Sequence, residues 1–308
     1  MEKEKIIIQT TPYFSKEKWE KTITDSNLSG FEFQYFSNYN EIKNNNPKQA
    51  FVIEPISYLN NCNPQNIKLL YSAISDSDLN NVSGEYNNLE FYSSKGLMNK
   101  VIAEHCIMVT LSLFRQLNTA ILLQKNKKWD QRIFLSQRYS QLSQHKVGIL
   151  GYGQVGAEVA KVFKPLAQEI NVCNRSEKKD ATIDNYFSLQ QLHEFLKYND
   201  VVIVCIPLRK ETRNLIGNKE LELIGSNGYL VNVSRGDIIV EEDLIYALQN
   251  KIIKGAALDV FKEEPLHKKS RLWKQDNVII TPHIAGNVNN FVSEIQRDFI
   301  IKLKNLSL

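Results

Sequence analysis

Cysteine is scarce in this chain: four in 308 residues, Cys62, Cys106, Cys173 and Cys205, with no Cys-x-x-Cys spacing. No zinc or redox motif follows, and the apolar stretches around three of them suit packed, reduced thiols. Runs of five or six like charges are absent, and Lys+Arg of 38 against Asp+Glu of 34 leaves a net charge of only +4. Such a balance gives no ground for a nucleic-acid or membrane partner. Long apolar runs are missing too: the longest, Val201–Pro207, is far too short to span a bilayer. Residues Met1–Thr10 open with charge and pass straight into an isoleucine run, unlike a signal peptide. A cytoplasmic protein without metal, membrane or nucleic acid is the expectation.

What is present is ordinary globular composition, 43% hydrophobic and 23% charged. At roughly 150 residues per domain the length suggests about two domains. In the first, strands are predicted at Lys5–Gln9, Phe31–Phe36, Ala50–Ile53 and Ile67–Ser72, with a helix at Ser15–Thr24 capped by Ser15. Apolar residues at helical spacing from Ile102 to Leu123 predict one long helix over Asn99–Gln124, its wide stripe suited to packing on a domain or a second subunit. A second series follows. Strands are predicted at Lys146–Leu150, Ile170–Cys173, Val201–Cys205, Tyr229–Val233, Gly255–Asp259 and Val278–Ile280, with helices at Ala157–Phe163, Ser188–Lys197 and Glu241–Gln249. Short apolar runs alternating with helices indicate an α/β chain with doubly wound parallel sheets.

Gly151-Tyr152-Gly153-Gln154-Val155-Gly156 is a G-x-G-x-x-G directly after a predicted strand and directly before a helix. In that context the first glycine permits the tight turn, the second lets a pyrophosphate approach the backbone, and the third lets helix and strand pack closely. The helix N-terminus adds free N–H groups and the positive end of its dipole. At the end of the next strand, where a dinucleotide fold that takes NAD has an acid, this chain has Asn174-Arg175-Ser176. A guanidinium and a hydroxyl suit a 2′-phosphate that a carboxylate would repel, so NADP(H) is favoured over NAD(H). Glu177 is the acid that would restore an NAD reading.

Three further segments lie past predicted strand ends, where ligands of parallel sheets bind. Val231–Asp237 offers Arg235, a fork for a carboxylate whose alternative is a surface ion pair with Asp237. Ala256–Leu266 offers Asp259 and Glu264, and Ile280–Gly286 offers His283. A carboxylate beside an imidazole favours the charged ring and readies it to donate a proton. Reduction of a carbonyl by hydride needs that donor, and a cation to bind and polarise the substrate.

These segments, with VVIVCIPLRKETRNLI at Val201–Ile216 and Ala103-Glu104-His105, resemble the D-isomer-specific 2-hydroxyacid dehydrogenases almost continuously over residues 100–290. The Asn-Arg-Ser segment and the short length look most like the glyoxylate/hydroxypyruvate reductase branch. The resemblance implies two Rossmann-like domains with an interdomain active-site cleft: a flavodoxin-like substrate domain, residues 1–98 plus 287–308, and a dinucleotide-binding domain, residues 99–286. It implies reduction of a 2-oxo acid (glyoxylate, hydroxypyruvate or a bulkier one) to a D-2-hydroxy acid. Arg235 would bind substrate, His283 act as general acid, and Glu264 pair with His283. Gly151, Gly153, Gln154, Val155, Gly156, Asn174, Arg175, Ser176, Pro207, Val233 and Asp259 would hold the cofactor, and His105 would be structural. A homodimer through the cofactor domain is implied as well. The family's Gly-rich substrate loop is replaced here by Ser72–Ser77, whose Ile74 and Ser75 would meet the substrate carboxylate, and Glu54 is either an acid lining the pocket, as in relatives, or a solvated loop acid. Two other readings carry the same motifs: a cofactor-sensing binding protein of the superfamily, and a biosynthetic dehydrogenase for a specialised 2-hydroxy acid.

Overall fold

Consecutive β-branched residues, Ile6–Ile8, build the first strand, β1 (Glu4–Gln9), and every one of them is buried. In the computed structural model, residues 3–28, 30–42, 49–52, 68–73, 89–94, 96–135 and 141–306 are described. They form two compact units, Met1–Met98 with Val288–Leu308, and Asn99–Asn287.

In the first unit β1 pairs with β2 (Phe31–Phe36) and β3 (Gln49–Val52), and β4 (Leu69–Ser72) and β5 (Glu90–Ser93) complete a parallel sheet of order β2-β1-β3-β4-β5. This is the order of flavodoxin-like folds. The helix Lys16–Asp25 follows Ser15 in extended conformation and buries Trp19 against Phe51, ring centroids 4.6 Å apart. The C-terminal helix Phe291–Leu306 closes the same core. Ile295, Phe299, Ile300 and Leu303 form its buried stripe, and Phe299 meets Trp19 edge-on.

The second unit is a seven-stranded parallel sheet: β6 (Lys146–Leu150), β7 (Glu169–Asn174), β8 (Asn185–Ser188), β9 (Val201–Val204), β10 (Tyr229–Asn232), β11 (Gly255–Leu258) and β12 (Val278–Ile280). Its order, β12-β11-β10-β9-β6-β7-β8, reverses between β6 and β9. Ligands of open parallel sheets bind at the strand carboxyl ends beside such a reversal. The turn after β6 is the glycine-rich one, and the turn after β9 carries Pro207. Val201–Val204 are all fully buried, as helices on both faces require.

Four differences from the sequence reading have physical causes. The helix expected over Asn99–Gln124 is two helices, Asn99–Phe114 and Leu117–Lys125, meeting at 71°. Gln116 sits between them in the left-handed region at φ 49°, and no glycine or proline announces it. Edge strands β5 and β8 escaped notice because partly exposed edges need no apolar run. The segment after Ser188 begins as one 3-10 turn, Leu189–Gln191, before the helix Leu192–Tyr198. Gln191 Oε1 accepts there from the Ser188 N–H at 3.1 Å and from its hydroxyl at 3.2 Å. The helix Asn218–Ile224 is too short to show a period. Among the described residues no single helix is long and apolar enough to cross a membrane.

Candidate active site

The glycine-rich turn is shaped by its neighbours. Gly151 has φ +98°, and a Cβ there would lie 2.5 Å from the Ile206 nitrogen. A Cβ on Gly156 would lie 2.2 Å from the Gly151 carbonyl oxygen. Gly153, the N-cap of the helix Gln154–Phe163, has open space where its Cβ would be. Two glycines are therefore required by packing, and the middle one clears a path to the helix N-terminus. An approaching pyrophosphate needs that combination. Gly153 and Gln154 are exposed, and Val155 is half-buried. The residues present thus fit a dinucleotide.

At the end of β7, Asn174 folds back on its own loop. Its amide donates to the Ser176 carbonyl at 2.9 Å, and its oxygen faces the Tyr152 N–H at 3.4 Å. Arg175 and Ser176 are left exposed. Pro207 is exposed past β9, and Val233 is half-buried past β10.

His283 and Glu264 come together. The imidazole Nδ1 lies 2.6 Å from Glu264 Oε2, at half exposure. A carboxylate accepts, so Nδ1 carries the hydrogen and Nε2 is the nitrogen left for exchange. Glu264 is itself held, its Oε1 accepting from the Phe261 N–H at 2.9 Å. The backbone of His283 is left-handed at φ 53°, and its N–H donates to the Asp259 carbonyl at 2.9 Å. A non-glycine residue in that region persists only when its surroundings fix it.

Asp259 supplies much of that fixing. It is 2% exposed, and its carboxylate accepts from Thr281 Oγ1 at 2.6 Å, the Ile284 N–H at 2.9 Å and the Ala285 N–H at 2.8 Å. Its oxygens are thus engaged with the loop that carries His283, a role the sequence reading did not assign it. Behind it His105 Nε2 lies 3.2 Å from Thr281 Oγ1, and burial pushes the imidazole below its ordinary pKa. Thr281 gives its one hydrogen to Asp259, so its oxygen accepts from His105 Nε2.

Arg235 lies at the end of β10, exposed, its guanidinium donating to the Ser234 carbonyl at 2.8 Å. Asp237 pairs with Arg213 at 2.7 Å, so the ion-pair alternative for Arg235 is not what the structure shows. Buried Asn232 shapes this turn by accepting from the Ser234 N–H and donating to the Arg235 carbonyl, both at 3.0 Å. Gly236 rests on the next loop: a Cβ there would lie 1.9 Å from the Phe261 carbonyl carbon. Phe261 is the residue whose N–H holds Glu264. Asn232, Gly236 and Thr281 were missed by sequence reasoning, although the first two flank Arg235 in its own segment. Ile74, Ser75 and Glu54 lie outside the described residues.

A family model, D-isomer specific 2-hydroxyacid dehydrogenase, NAD binding domain, matches residues 107–285. The chain belongs to the D-isomer specific 2-hydroxyacid dehydrogenase family. It is 39% identical to a glyoxylate reductase from Thermococcus gammatolerans over 140 residues, 46% of this chain and 42% of that one. It is 33% identical over 189 residues to glyoxylate/hydroxypyruvate reductase A from Escherichia fergusonii, 61% of this chain and 59% of that one. The matches thus span about half the length of these curated relatives. Among solved structures, an NADPH-dependent glyoxylate/hydroxypyruvate reductase from Sinorhizobium meliloti, in complex with NADP and sulfate, shares the fold. Its TM-score is 0.78 at 22% identity, covering 99% of this chain and 94% of that one.

Proposed function

We propose that this chain reduces a 2-oxo acid to a D-2-hydroxy acid with NADP(H) in preference to NAD(H). The observation that carries the reading is the His283–Glu264 pair, braced on Phe261, in the same parallel sheet as a glycine turn fitted to a dinucleotide. The second unit is the cofactor domain and the first the substrate domain. When bound, the nicotinamide supplies the hydride. Gly151, Gly153 and Gly156 shape its phosphate seat. Arg175 and Ser176 face a 2′-phosphate, as suits the NADPH-dependent relative. Arg235 takes the substrate carboxylate in its fork and polarises the carbonyl. His283 gives its proton to the carbonyl oxygen, and Glu264 holds the ring and balances its charge. Asp259 keeps the loop of His283 in place.

The named relatives are glyoxylate and glyoxylate/hydroxypyruvate reductases, so glyoxylate and hydroxypyruvate are the first substrates to try. Initial rates of NADPH and NADH oxidation against 2-oxo acids from glyoxylate to phenylpyruvate test this. Turnover of a small member, faster with NADPH, is expected. NADPH binding without turnover of any member would overturn it.

The same reading includes a homodimer and, given the free thiols Cys106, Cys173 and Cys205, a cytoplasmic location. Leu117, Ile121, Leu122 and Trp129 are exposed on and just beyond the helix Leu117–Lys125, and Trp129, 93% exposed, lines a groove of about 630 Å³. Exposed apolar side chains gathered on one short helix suit an interface. Sedimentation equilibrium at micromolar concentration should return twice the 35.5 kDa chain mass. The single-chain mass would contradict it.

A further inference from the structure

Tyr152 stands between the first two glycines of the turn, yet its side chain is turned away from the phosphate path and is 6% exposed. Its hydroxyl donates to Asp180 Oδ2 at 2.7 Å and touches Thr182 Oγ1 at 3.0 Å. Asp180 is gathered from its other side as well, its Oδ1 accepting from the Thr182 N–H at 2.9 Å and from the Thr182 hydroxyl at 2.8 Å. Both hydroxyls therefore give their one hydrogen to the carboxylate, the strongest acceptor in the group. Those bonds hold the Asp180 carboxyl below its ordinary range, and burial pushes the Tyr152 phenol up to about 12.

The backbone N–H of the same tyrosine faces Asn174 Oδ1 at 3.4 Å, and Tyr186 donates to the Asn174 carbonyl at 2.8 Å. One residue of the glycine turn thus meets both ends of the segment Asn174–Asp180. Between those ends lie Arg175, Ser176, Glu177, Lys178 and Lys179, all exposed, three cations against one acid. The glycine turn sets where a pyrophosphate sits, and the segment sets where a 2′-phosphate meets its cations. Their separation matters most for a ligand that carries both groups.

We propose that Tyr152, through its hydroxyl bond to Asp180, is a positioning residue for cofactor selection, locking the cationic Arg175–Lys179 segment at a fixed distance from the glycine turn. The assignment rests on the NADP(H) reading above. The hydroxyl is not needed to fill space, since phenylalanine keeps the buried ring. Nor is it needed for the pyrophosphate seat, which the three glycines shape. Its loss releases the far end of the segment and weakens the grip on the 2′-phosphate alone.

The experiment is fluorescence titration of NADPH and NADH, without substrate, into wild type, Tyr152→Phe and Asp180→Asn, with a thermal melt of each. In both variants the Kd for NADPH should rise about tenfold, the factor that one charge-assisted hydrogen bond carries. The Kd for NADH should stay within about twofold, since the pyrophosphate seat that both cofactors share is untouched. Equal weakening of both cofactors would make the clasp merely structural, and no change in either would show that it does not position the segment. Each of these results overturns the assignment alone. A wild type that binds NADH more tightly than NADPH overturns the NADP(H) reading, and this assignment with it.

Discussion

Replacement of His283 by alanine is expected to lower kcat by about 10²–10⁴-fold, the range over which a positioned proton donor contributes. Binding of NADPH should be nearly unchanged, because the glycine turn and the Asn174–Asp180 segment lie on other strands. His283 offers one ring nitrogen because the other is committed to Glu264 at 2.6 Å, and Glu264 is fixed in turn by the Phe261 N–H. Glu264→Gln should therefore lose less than His283→Ala, since the amide can still accept from Nδ1 but cannot balance a charged ring. Steady-state kinetics of both variants with a 2-oxo acid check this. Near-normal turnover by His283→Ala at saturating substrate would remove it as the acid.

Gly236→Ala should cost almost as much, although Gly236 has no side chain to do chemistry. Its missing Cβ would meet the Phe261 carbonyl carbon at 1.9 Å, the carbonyl oxygen at 2.2 Å and the Lys262 nitrogen at 2.4 Å. All three are backbone atoms, so no rotamer change relieves the clash, and the two loops must part. One loop carries Arg235 and the other Glu264. A displacement of about 1 Å between catalytic groups costs on the order of 10²-fold. Forcing atoms into a filled space costs about 1–3 kcal/mol of stability. We expect kcat/KM to fall by about 10²-fold together with a lower melting temperature, while NADPH binding persists. An active Gly236→Ala enzyme would mean that the contact between these loops does not set the spacing of the site.

The candidate segments were legible in the sequence for a simple reason. In a parallel sheet, functional residues follow buried strands, and a buried strand is a short apolar run that ends abruptly. Val201–Val204, Tyr229–Asn232 and Val278–Ile280 each announce themselves so, and Pro207, Arg235 and His283 stand just beyond them. What holds those residues was not legible. Asp259 reads as one more acid past a strand. Only the fold shows its carboxylate turned onto the backbone of Ile284 and Ala285, bracing the loop of His283. Tyr152 reads as the variable letter of a glycine motif, and its partner Asp180 lies 28 residues on. The break at Gln116 is silent because the apolar spacing suits either one helix or two. Tertiary contacts decide such points, and they join residues with no local relation.

The most direct test of the central claim follows the hydride itself. Enzyme, hydroxypyruvate and NADPH deuterated on the transferable C4 face are incubated, and the product is examined by mass spectrometry and chiral chromatography. The account predicts glycerate of D configuration carrying one deuterium at C2. Glycerate of L configuration, or bound cofactor that never passes its label to any 2-oxo acid, would contradict it.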